Sequence, residues 1–402
     1  MLIQAAVDLD VRVQVLDGSP DAPCAGLAAR FVCGDVRDAD AVFEFGRGLD
    51  VVTIEVEDVS VAGLERLEAA GARVVPRPAH IGLIQDKGLQ KEFFAAHDVP
   101  TADFVLCGSD ASGDLAAAAA KVGGFPVVQK LRRGGYDGRG VRVVEAADDP
   151  RRFIATGSSS SDTTNDSSSC ADQGDTTRLL VERKVAILKE VSVIVARRGP
   201  DDVAAYAPVE TVFDARANVA LYVSSPADLD ADVAARCTAV AVDLVEKLDF
   251  VGLLAVELFV VDDAARTVLV NEVAPRCHNT GHHTIEANAT SQFAMLVRVA
   301  LDLPLGSTAP VRPHAATLNL LGDAATPNGQ PVYRGLDAAL ADPDAYPHLY
   351  GKATVSPFRK MGHLTVCGDD RDTVAANVLK LLDTVGVHAA ADARASASTP
   401  PA

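Results

Sequence analysis

Two long apolar runs separated by a short polar segment constrain most strongly how this chain can fold. The segment GLLAVELFVVDDAARTVLVNEVAPR, residues 252–276, has apolar runs on both sides of DDAAR, a pattern typical of an antiparallel β-hairpin. A turn centred between Ala264 and Ala265 places Glu257 directly opposite Glu272. Cross-strand neighbours have Cβ atoms about 5 Å apart, so two carboxylates at these positions repel each other.

A bound cation would turn this repulsion into a binding site. Two carboxylates together with the amide oxygen of Asn271 are hard oxygen ligands, and they suit Mg²⁺, or Mn²⁺, held partly by substrate phosphates. The alternative is a solvated pair of carboxylates on the exposed face of a hairpin. Charge spacing alone leaves both interpretations open.

The first part of the chain alternates between strand-like and helix-like patterns. The apolar runs VRVQVLD at 11–17 and VVTIEV at 51–56 predict strands, and VAGLERLEAAG at 61–71 predicts a helix. This alternation indicates a parallel α/β unit. A second unit begins near Gln85, where DKGLQKEFFAAHDVP predicts an amphipathic helix.

A glycine-rich stretch, RGGYDGRGVRV at 133–143, lies between two predicted strands, FPVVQK at 125–130 and VRVVEA at 141–146. A phosphate loop of the Walker type, or a dinucleotide fingerprint, leads into a helix whose N-terminus meets the phosphate. Neither of those motifs is present in the sequence. The stretch is therefore predicted to be a loop that joins two strands, unlike the phosphate loops that lead into a helix.

The segment APRCHNTGHHTIEAN, directly after the hairpin, is rich in histidine. It contains Arg276, His278, His282, His283 and Glu286. It has neither an HExxH pattern nor paired cysteines, so a polar active-site loop is favoured over a zinc cage.

The charge balance limits the partners of this chain. Its formal net charge is −18, which argues against binding to nucleic acid or to an anionic membrane surface, because both need a basic field. An anionic ligand must therefore meet a local basic cluster. The candidate basic residues are Lys87, Lys130, Arg132, Arg133, Arg139, Lys352, Arg359 and Lys360.

The remaining compositional features concern location and disorder. Seven cysteines without CxxC spacing indicate reduced thiols, and no uncharged run approaches the roughly 20 residues that span a bilayer. We therefore expect a cytoplasmic protein. Residues 157–177, GSSSSDTTNDSSSCADQGDTT, have almost no apolar side chains and are predicted to be a disordered insertion.

Several strings, taken in order along the chain, resemble one family. TIEVEDV, IQDKGLQKEFFAAHDVPTADF, GGYDGRG, GLLAVELFV and NEVAPRCHNTGHHTIEANATSQF are similar to ATP-grasp enzymes and, more narrowly, to 5-(carboxyamino)imidazole ribonucleotide synthases. The resemblance implies an α/β (α+β ATP-grasp) fold with an N-terminal parallel α/β domain at 1–82 and an ATP-grasp domain at 83–305, with its lid at about 117–182. A small C-terminal domain at 306–390 and a disordered tail at 391–402 would follow.

The resemblance also implies a reaction of de novo purine biosynthesis. ATP would phosphorylate bicarbonate to carboxyphosphate, and this species, or CO₂ released from it, would carboxylate the exocyclic amine of 5-aminoimidazole ribonucleotide. The products would be 5-(carboxyamino)imidazole ribonucleotide, ADP and phosphate. Because carboxyphosphate is short-lived in water, a lid that closes over the site fits the chemistry. The implied cofactors are ATP and Mg²⁺, and the implied assembly is a homodimer.

The resemblance assigns roles to individual residues. ATP would be bound by Lys87, Lys130, Gly135, Tyr136, Asp137, Gly138, Arg139, Gly140, Val141, Glu182, Arg183, Lys184, Val185, Glu190, Phe213, Asn271 and Glu272. The ribonucleotide would be bound by Tyr136, Asp137, Arg276, His278, Lys352, Arg359 and Lys360. Catalytic roles would fall to Asp137, Arg276, Lys352 and Arg359, and the metal would be held by Glu257, Asn271 and Glu272.

The chain departs from the family pattern at its start. Family members open with a strand and a turn resembling GGGQLGRM, whereas MLIQAAV matches the helix that follows that turn. We therefore expect an N-terminal sheet without its first strand, from a trimmed or misassigned start. Two alternatives follow: another ATP-grasp carboxylate-amine ligase, or a nucleotide-binding protein made inactive by the missing strand. The segment NEVAPRCHNTGHHTIEA argues against the first, and the intact carboxylates argue against the second.

Overall fold

The structure is a computed structural model that describes residues 1–107, 115–134, 140–149, 152, 179–213 and 220–390. The predicted serine-rich insertion at 157–177 and the tail at 391–402 lie outside these residues, as do residues 135–139 of the glycine stretch. In the part of the chain that is described, no helix combines the length and apolar character that a membrane crossing needs.

The N-terminal part alternates helices and parallel strands. Its elements are α1 (Leu2–Val7), β1 (Gln14–Asp17), β2 (Arg30–Cys33), α2 (Ala39–Gly46), β3 (Val51–Thr53), α3 (Val61–Ala69), β4 (Arg73–Val75) and α4 (Pro78–Ile84). The strands form two parallel pairs, β1 with β2 and β3 with β4. The parallel α/β unit that the alternating runs predict is confirmed, although its strands are shorter than the runs.

The next part forms a four-stranded sheet, called here the lid sheet after the lid that the family resemblance implies. It contains α5 (Lys87–Ala96), β5 (Phe104–Cys107), α6 (Leu115–Lys121), β6 (Val127–Leu131), β7 (Val141–Val144) and β8 (Leu179–Arg183). The strand order is β5-β8-β6-β7 with antiparallel pairing throughout. Gly134 and Gly140, at the two ends of the glycine stretch, have φ values of +76° and +84°, a backbone conformation that favours glycine.

The third part supplies the long strands. Its elements are β9 (Ile187–Gly199), β10 (Asp202–Ala205), β11 (Val209–Phe213), β12 (Ala220–Ser225), α7 (Ala231–Lys247), β13 (Gly252–Val261) and β14 (Val268–Ala274). A 3₁₀ turn (Asn279–Gly281), α8 (Thr284–Ala287) and α9 (Gln292–Ala300) follow. Helix α7 packs its apolar face on the sheet, where Leu244 and Leu254 are buried in one hydrophobic core.

The C-terminal part contains β15 (His314–Leu321), β16 (Pro331–Arg334), α10 (Leu336–Leu340), β17 (Ala345–Leu349), β18 (Lys360–Gly368), α11 (Arg371–Thr384) and β19 (Gly386–Ala389). Strand β15 pairs with β12, with Thr317 opposite Val223. The C-terminal strands therefore extend the sheet of the third part. The predicted domain boundary near residue 306 stays a prediction. Strand β12 lies before it and β15 after it, and these two strands are hydrogen-bonded to each other.

The resulting central sheet has nine strands among the described residues. Its order is β14-β13-β9-β11-β12-β15-β18-β17, with β10 paired to β9. One face packs on α7 and, further along, on α11. The other face packs on α9 at one end, and further along it carries the polar side chains of the candidate site.

Helix starts follow local sequence rules. Five helices begin after a residue whose side chain accepts a backbone N–H of the first turn: Asp38, Ser60, Asp86, Ser291 and Asp370. Such caps satisfy backbone donors that have no partner inside the helix. Asp86 is the most important of them for the site, because it starts α5 directly before Lys87.

The structure confirms the predicted hairpin and the pairing of Glu257 with Glu272, but not the register between this pair and the turn. Strands β13 and β14 are antiparallel, and Glu257 lies opposite Glu272. The register then shifts, so that Leu258 lies opposite Val270 and Asn271 is the extra residue of a β-bulge. A bulge locally breaks the strict in–out alternation of a strand and re-aims side chains. Consequently Asn271 and Glu272, although adjacent, both contact the same polar cluster.

The buried face of β13 carries much of the folding energy of the central sheet. Leu254 is fully buried in the core beneath α7, so we expect Leu254→Ala to lower the free energy of unfolding by about 2–5 kcal/mol. Leu340→Ala is the matched control, because Leu340 is 63% exposed on α10 and should cost less than about 0.5 kcal/mol. Urea denaturation followed by circular dichroism measures the free energy of unfolding of both variants. Similar losses in the two variants would contradict the assignment of Leu254 to the core.

Candidate functional site

A buried ion network occupies the junction between the lid sheet and the central sheet. Glu182 of β8 is almost fully buried, and its carboxylate lies 2.8 Å from Lys91 Nζ and 2.7 Å from Lys130 Nζ. Burial works to raise the pKa of Glu182, but the two lysines outweigh it and lower that pKa. Lys130 Nζ also donates to Asn271 Oδ1 at 2.8 Å. The network therefore links the lid sheet to the bulge.

The bulge gathers the predicted metal-binding side chains. Asn271 Nδ2 lies 3.4 Å from Glu257 Oε2, and Glu272 forms an ion pair with Lys87. Among the described residues, no three His, Cys, Asp or Glu side chains converge as a complete metal cage. Two carboxylates and an amide oxygen fit a Mg²⁺ ion only if a ligand supplies further oxygen atoms, which is the usual way this ion is held.

Lys87 is placed by the start of α5. Asp86 caps the helix, and its carboxylate receives two hydrogen bonds from Arg132, at 2.7 and 3.0 Å. The backbone N–H of Lys87 donates to the Arg132 carbonyl at 2.9 Å. Burial, together with the nearby Lys130, lowers the pKa of Lys87 to about 8. Arg132, one of the candidate basic residues, is thus engaged in fixing the helix start.

The histidine-rich segment forms the wall next to the carboxylates. His278 Nε2 lies 3.4 Å from Glu257 Oε1, and its Nδ1 lies 2.9 Å from Thr280 Oγ1. Burial lowers the pKa of His278 despite the nearby Glu257. Because the neutral ring then faces a carboxylate, a cation or a donor hydrogen bound between them would stabilise the pair. Arg276 Nε forms an ion pair of 2.9 Å with Glu57.

A cavity of about 290 Å³ opens on the polar face of the central sheet. Predicted site residues from five separate segments line it: Glu190, Phe213, Glu257, His278 and Lys360. Burial, and then the negative charge of Glu257, raises the pKa of Glu190, although Lys130 opposes the shift. These predicted residues are therefore brought together around one space.

The C-terminal cations approach the same region from β17 and β18. Lys352 Nζ donates to the Lys360 carbonyl at 2.7 Å and lies 5.6 Å above the ring of Tyr350. Arg359 is exposed, and its Nη1 donates to the Thr354 carbonyl at 2.7 Å. Lys360 lines the cavity and Lys352 contacts its carbonyl, whereas Arg359 lies on the exposed part of the same loop.

The predicted hinge is placed beside the junction. Glu182 pairs with Phe104 and Val128, so its strand has neighbours on both sides. Arg183 and Lys184 are exposed, and Arg183 forms an ion pair of 3.2 Å with Asp103. Val185 is half-buried and follows the end of β8. Its backbone and that of Lys184 lie outside the regular strands.

The glycine stretch is only partly described. Gly140 accepts a hydrogen bond of 2.8 Å from the Leu131 N–H, and Val141 lies opposite Lys130. The predicted site residues Gly135, Tyr136, Asp137, Gly138 and Arg139 lie outside the described residues. Strand β6 precedes these residues and strand β7 follows them, as the sequence predicts.

Three charged residues of the site escaped the sequence analysis: Lys91, Glu55 and Glu57. Burial raises the pKa of Glu55, which faces Arg276 and Lys352, while Glu57 pairs with Arg276. Lys91 had a detectable signal, because it lies four residues after Lys87, on the side of α5 that also buries Phe94. A lysine on the apolar side of a helix needs a buried partner, and here that partner is Glu182.

Three family models match the chain in succession. They are the Ribonucleotide synthetase preATP-grasp domain at residues 1–85, the ATP-grasp domain at 92–293, and the Phosphoribosylaminoimidazole carboxylase C-terminal domain at 315–377. The N5-carboxyaminoimidazole ribonucleotide synthase of Synechococcus elongatus is 34% identical to this chain, over 91% of the chain and 86% of the relative. The chain belongs to the N5-carboxyaminoimidazole ribonucleotide synthase family, within the ATP-grasp fold.

Solved structures agree with this family assignment. The N5-carboxyaminoimidazole ribonucleotide synthetase of Thermotoga maritima is 31% identical, with a TM-score of 0.81, and the match covers 96% of each chain. The synthase of Aspergillus clavatus, in complex with ADP and 5-aminoimidazole ribonucleotide, is 27% identical with a TM-score of 0.78, over 95% of each chain. The resemblance noted in the sequence and the fold that it implies are confirmed.

Glu182 should stabilise the junction, and the size of its contribution to the free energy of unfolding should depend on pH. Glu182→Gln leaves two buried lysines without their counter-ion, so we expect it to cost about 3–5 kcal/mol of unfolding free energy at pH 7. Because Glu182 raises the pKa of Lys91, its loss should lower that pKa below its present value of about 8.

The sign of the pH effect follows from proton binding. The unfolded chain keeps Lys91 protonated up to about pH 10.5, so the folded variant gains stability as the pH rises above its own, lower pKa. Urea denaturation should therefore show a smaller difference in the free energy of unfolding between Glu182→Gln and the wild type at pH 9 than at pH 7. Glu68→Gln, in a surface pair with Arg77, should cost less than about 1 kcal/mol at both pH values. Equal deficits for Glu182→Gln at pH 7 and pH 9 would contradict the assignment.

Proposed function

We propose that this protein carboxylates 5-aminoimidazole ribonucleotide with bicarbonate at the expense of ATP, giving 5-(carboxyamino)imidazole ribonucleotide, ADP and phosphate. One observation carries the proposal: in a chain of this family, Glu257 and Glu272 lie opposite each other, Lys87 pairs with Glu272, Lys130 contacts the neighbouring Asn271, and Glu257 lines the cavity. Phosphoryl transfer depends mainly on positioning and on neutralising charge. The cluster supplies both.

The ATP end of the site lies at the junction of the two sheets. Lys87 and Lys130 would neutralise the phosphates, and Glu272, released from its pair with Lys87, would be free to bind a metal ion. Glu257, Glu272 and Asn271 would hold Mg²⁺, which when bound supplies positive charge that neutralises the phosphate oxygens during transfer. Glu190 and Phe213 line the cavity further along and would contact the nucleoside, with the hinge at 182–185 on its adenine side.

The ribonucleotide end lies between the histidine-rich segment and the C-terminal strands. Arg276, Lys352, Arg359 and Lys360 would meet the anionic 5′-phosphate, since charge-assisted hydrogen bonds to phosphate are among the strongest that proteins make. His278 would contact the reacting end, next to Glu257. Tyr136 and Asp137 of the glycine stretch would complete this end when the lid closes.

Two steps would follow each other in the closed site. A bicarbonate oxygen attacks the γ-phosphorus of ATP, and ADP leaves. The amine nitrogen then forms a bond to the carboxyl carbon of carboxyphosphate, or of CO₂ released from it, while phosphate leaves and the nitrogen loses a proton. Because carboxyphosphate reacts with water, the residues that exclude water are as necessary as those that bind the phosphates.

The deciding experiment is ADP release by the purified chain with bicarbonate, with and without 5-aminoimidazole ribonucleotide. We expect ADP release to depend on the ribonucleotide and on bicarbonate. Release that depends on a different amine would indicate another ATP-grasp carboxylate-amine ligase. ATP binding without any release would indicate a nucleotide-binding protein that does not turn over.

Glu272 should be required for turnover and not for folding. Its carboxylate lies at the junction and is about one-third exposed, so Glu272→Ala should remain folded while losing at least about 100-fold in turnover. Glu246→Ala, an exposed position on α7, is the matched control and should keep wild-type turnover. Turnover retained by Glu272→Ala would show that the metal assignment is wrong.

The metal requirement gives a separate test. Chelation with EDTA should abolish ADP release, and added Mg²⁺ or Mn²⁺ should restore it. Because Glu257 is one of only two carboxylates in the proposed ligand set, Glu257→Gln should need roughly tenfold or more Mg²⁺ for half-maximal rate. A Mg²⁺ requirement unchanged by Glu257→Gln would remove Glu257 from the ligand set.

The proposal extends to assembly and location. A homodimer is what the family resemblance implies, and light scattering on the purified chain would measure it. A cytoplasmic location fits the cysteines, which form no disulfide bond among the described residues, because reduced thiols are usual in reducing compartments.

A further inference from the structure

A row of buried side chains connects the two groups of residues that would hold the ribonucleotide. We propose that Gln292, His282, His363 and Tyr350, called here the buried row, position Lys352 and Lys360 relative to His278 and so set the affinity for the ribonucleotide. None of the four is among the residues assigned to the site above. The inference rests on the proposed function, which places both groups around the ribonucleotide.

One end of the row fixes the position of His278. The side chain of Gln292 is fully buried, its Oε1 accepts a hydrogen bond of 2.9 Å from the His278 N–H, and its Nε2 donates to the His278 carbonyl at 2.7 Å. Both backbone groups of His278 are thus held by one amide. The same Nε2 lies 3.3 Å from His282 Nδ1, which is where the row continues.

The middle of the row is a stack of three imidazole rings that crosses from the histidine-rich segment to the C-terminal strands. The ring of His363 lies between those of His282 and His348, with centroids 4.4 and 4.5 Å away. His348, on β17, forms a hydrogen bond of 2.6 Å with Glu286 of α8. Strands β17 and β18 of the C-terminal part therefore contact α8 and the turn before it.

Two rings of the stack, those of His282 and His363, stay uncharged in the working pH range. Burial, and then the neighbouring histidines, lower the pKa of His282 to about 3 and also lower the pKa of His363. The titratable and charged groups near these two rings are His278, His283, His348, Lys360 and Glu286, the last paired with His348. Two neutral rings do not repel each other, so the row acts as a fixed spacer.

The other end of the row holds the cations. The Tyr350 hydroxyl lies 3.0 Å from His363 Nδ1, and the Tyr350 ring lies beneath Lys352 Nζ at 5.6 Å. Lys352 Nζ in turn donates to the Lys360 carbonyl, and Lys360 lines the cavity opposite His278. Each link from His278 to Lys360 is therefore a direct contact.

Such a spacer matters because His278 and Lys352 come from different parts of the fold. A displacement of about 1 Å between groups that bind two ends of one substrate can cost about 100-fold in rate. ATP meets different side chains, at the junction with the lid sheet. Loosening the row should therefore affect the ribonucleotide and leave ATP binding nearly unchanged.

The experiment compares three single substitutions by steady-state ADP release, with KM and kcat measured for the ribonucleotide and for ATP. Tyr350→Phe removes only the hydroxyl that contacts His363 and keeps the ring beneath Lys352. His363→Leu removes the centre of the stack. Tyr333→Phe is the matched control, because the Tyr333 hydroxyl bonds to the Met361 carbonyl of the same strand, at 3.2 Å, yet packs against the opposite core with α11.

We expect Tyr350→Phe to raise KM for the ribonucleotide about fivefold and His363→Leu to raise it more than about tenfold, with KM for ATP within about twofold. Tyr333→Phe should leave both KM values within about twofold. The proposal is overturned if Tyr350→Phe leaves KM for the ribonucleotide unchanged, if both KM values rise together, or if Tyr333→Phe has the same effect.

The outcomes separate this inference from the proposed function. If ADP release by the wild type does not depend on the ribonucleotide, both the proposed function and the positioning role are wrong. If ADP release by the wild type depends on the ribonucleotide, and Tyr350→Phe has the same KM for it, only the positioning role is wrong. If His363→Leu fails to fold, Tyr350→Phe, which removes a single oxygen atom from a half-buried ring, decides the question alone.

Discussion

One buried carboxylate, that of Glu182, holds the site in its observed arrangement. Removing a carboxylate from water is costly, and a single counter-ion often fails to offset that cost. Here two lysines share it, one from α5 and one from the lid sheet. Lys91 also hydrogen-bonds to Thr101, whose hydroxyl donates to the Val270 carbonyl. The helix, the lid sheet and the central sheet therefore meet at this carboxylate.

The bulge in β14 turns this junction into a reactive site. In a regular strand, Asn271 and Glu272 would point to opposite faces. With one residue inserted, Asn271 reaches Lys130 and Glu257, while Glu272 reaches Lys87. Lys87 and Glu272 thus balance each other until an anionic ligand binds the lysine. The compensated charges also explain how a strongly acidic chain presents a site for phosphate.

The sequence predicted those parts of the molecule that depend on local pattern. The pairing of Glu257 with Glu272 followed from counting residues between two apolar runs, and it is observed in the structure. The bulge was not predictable, because it changes the register without changing the apolar pattern. Arg132 shows the same limit: its charge suggested phosphate binding, but the buried Asp86 cap, distant in sequence, engages it.

The pairing of the C-terminal strands was also beyond the sequence. Strand β15 pairs with β12, and pairing between strands from distant segments leaves no periodic signal. The histidine-rich segment was interpreted as a polar loop of the site. Only His278 of its three histidines faces the cavity, whereas His282 and His283 are buried and have lowered pKa values. Their partners, His363 above all, lie about 80 residues away in sequence.

The continuity of the central sheet restricts how this molecule can open and close. A hydrogen-bonded sheet resists bending across its strands, since any hinge there would break a ladder of backbone hydrogen bonds. The strands that carry Glu257 and those that carry Lys360 belong to one such sheet. The floor of the cavity is therefore stiff, and Lys360 keeps its position relative to Glu257. Any movement that opens the cavity must come from parts of the chain outside this sheet.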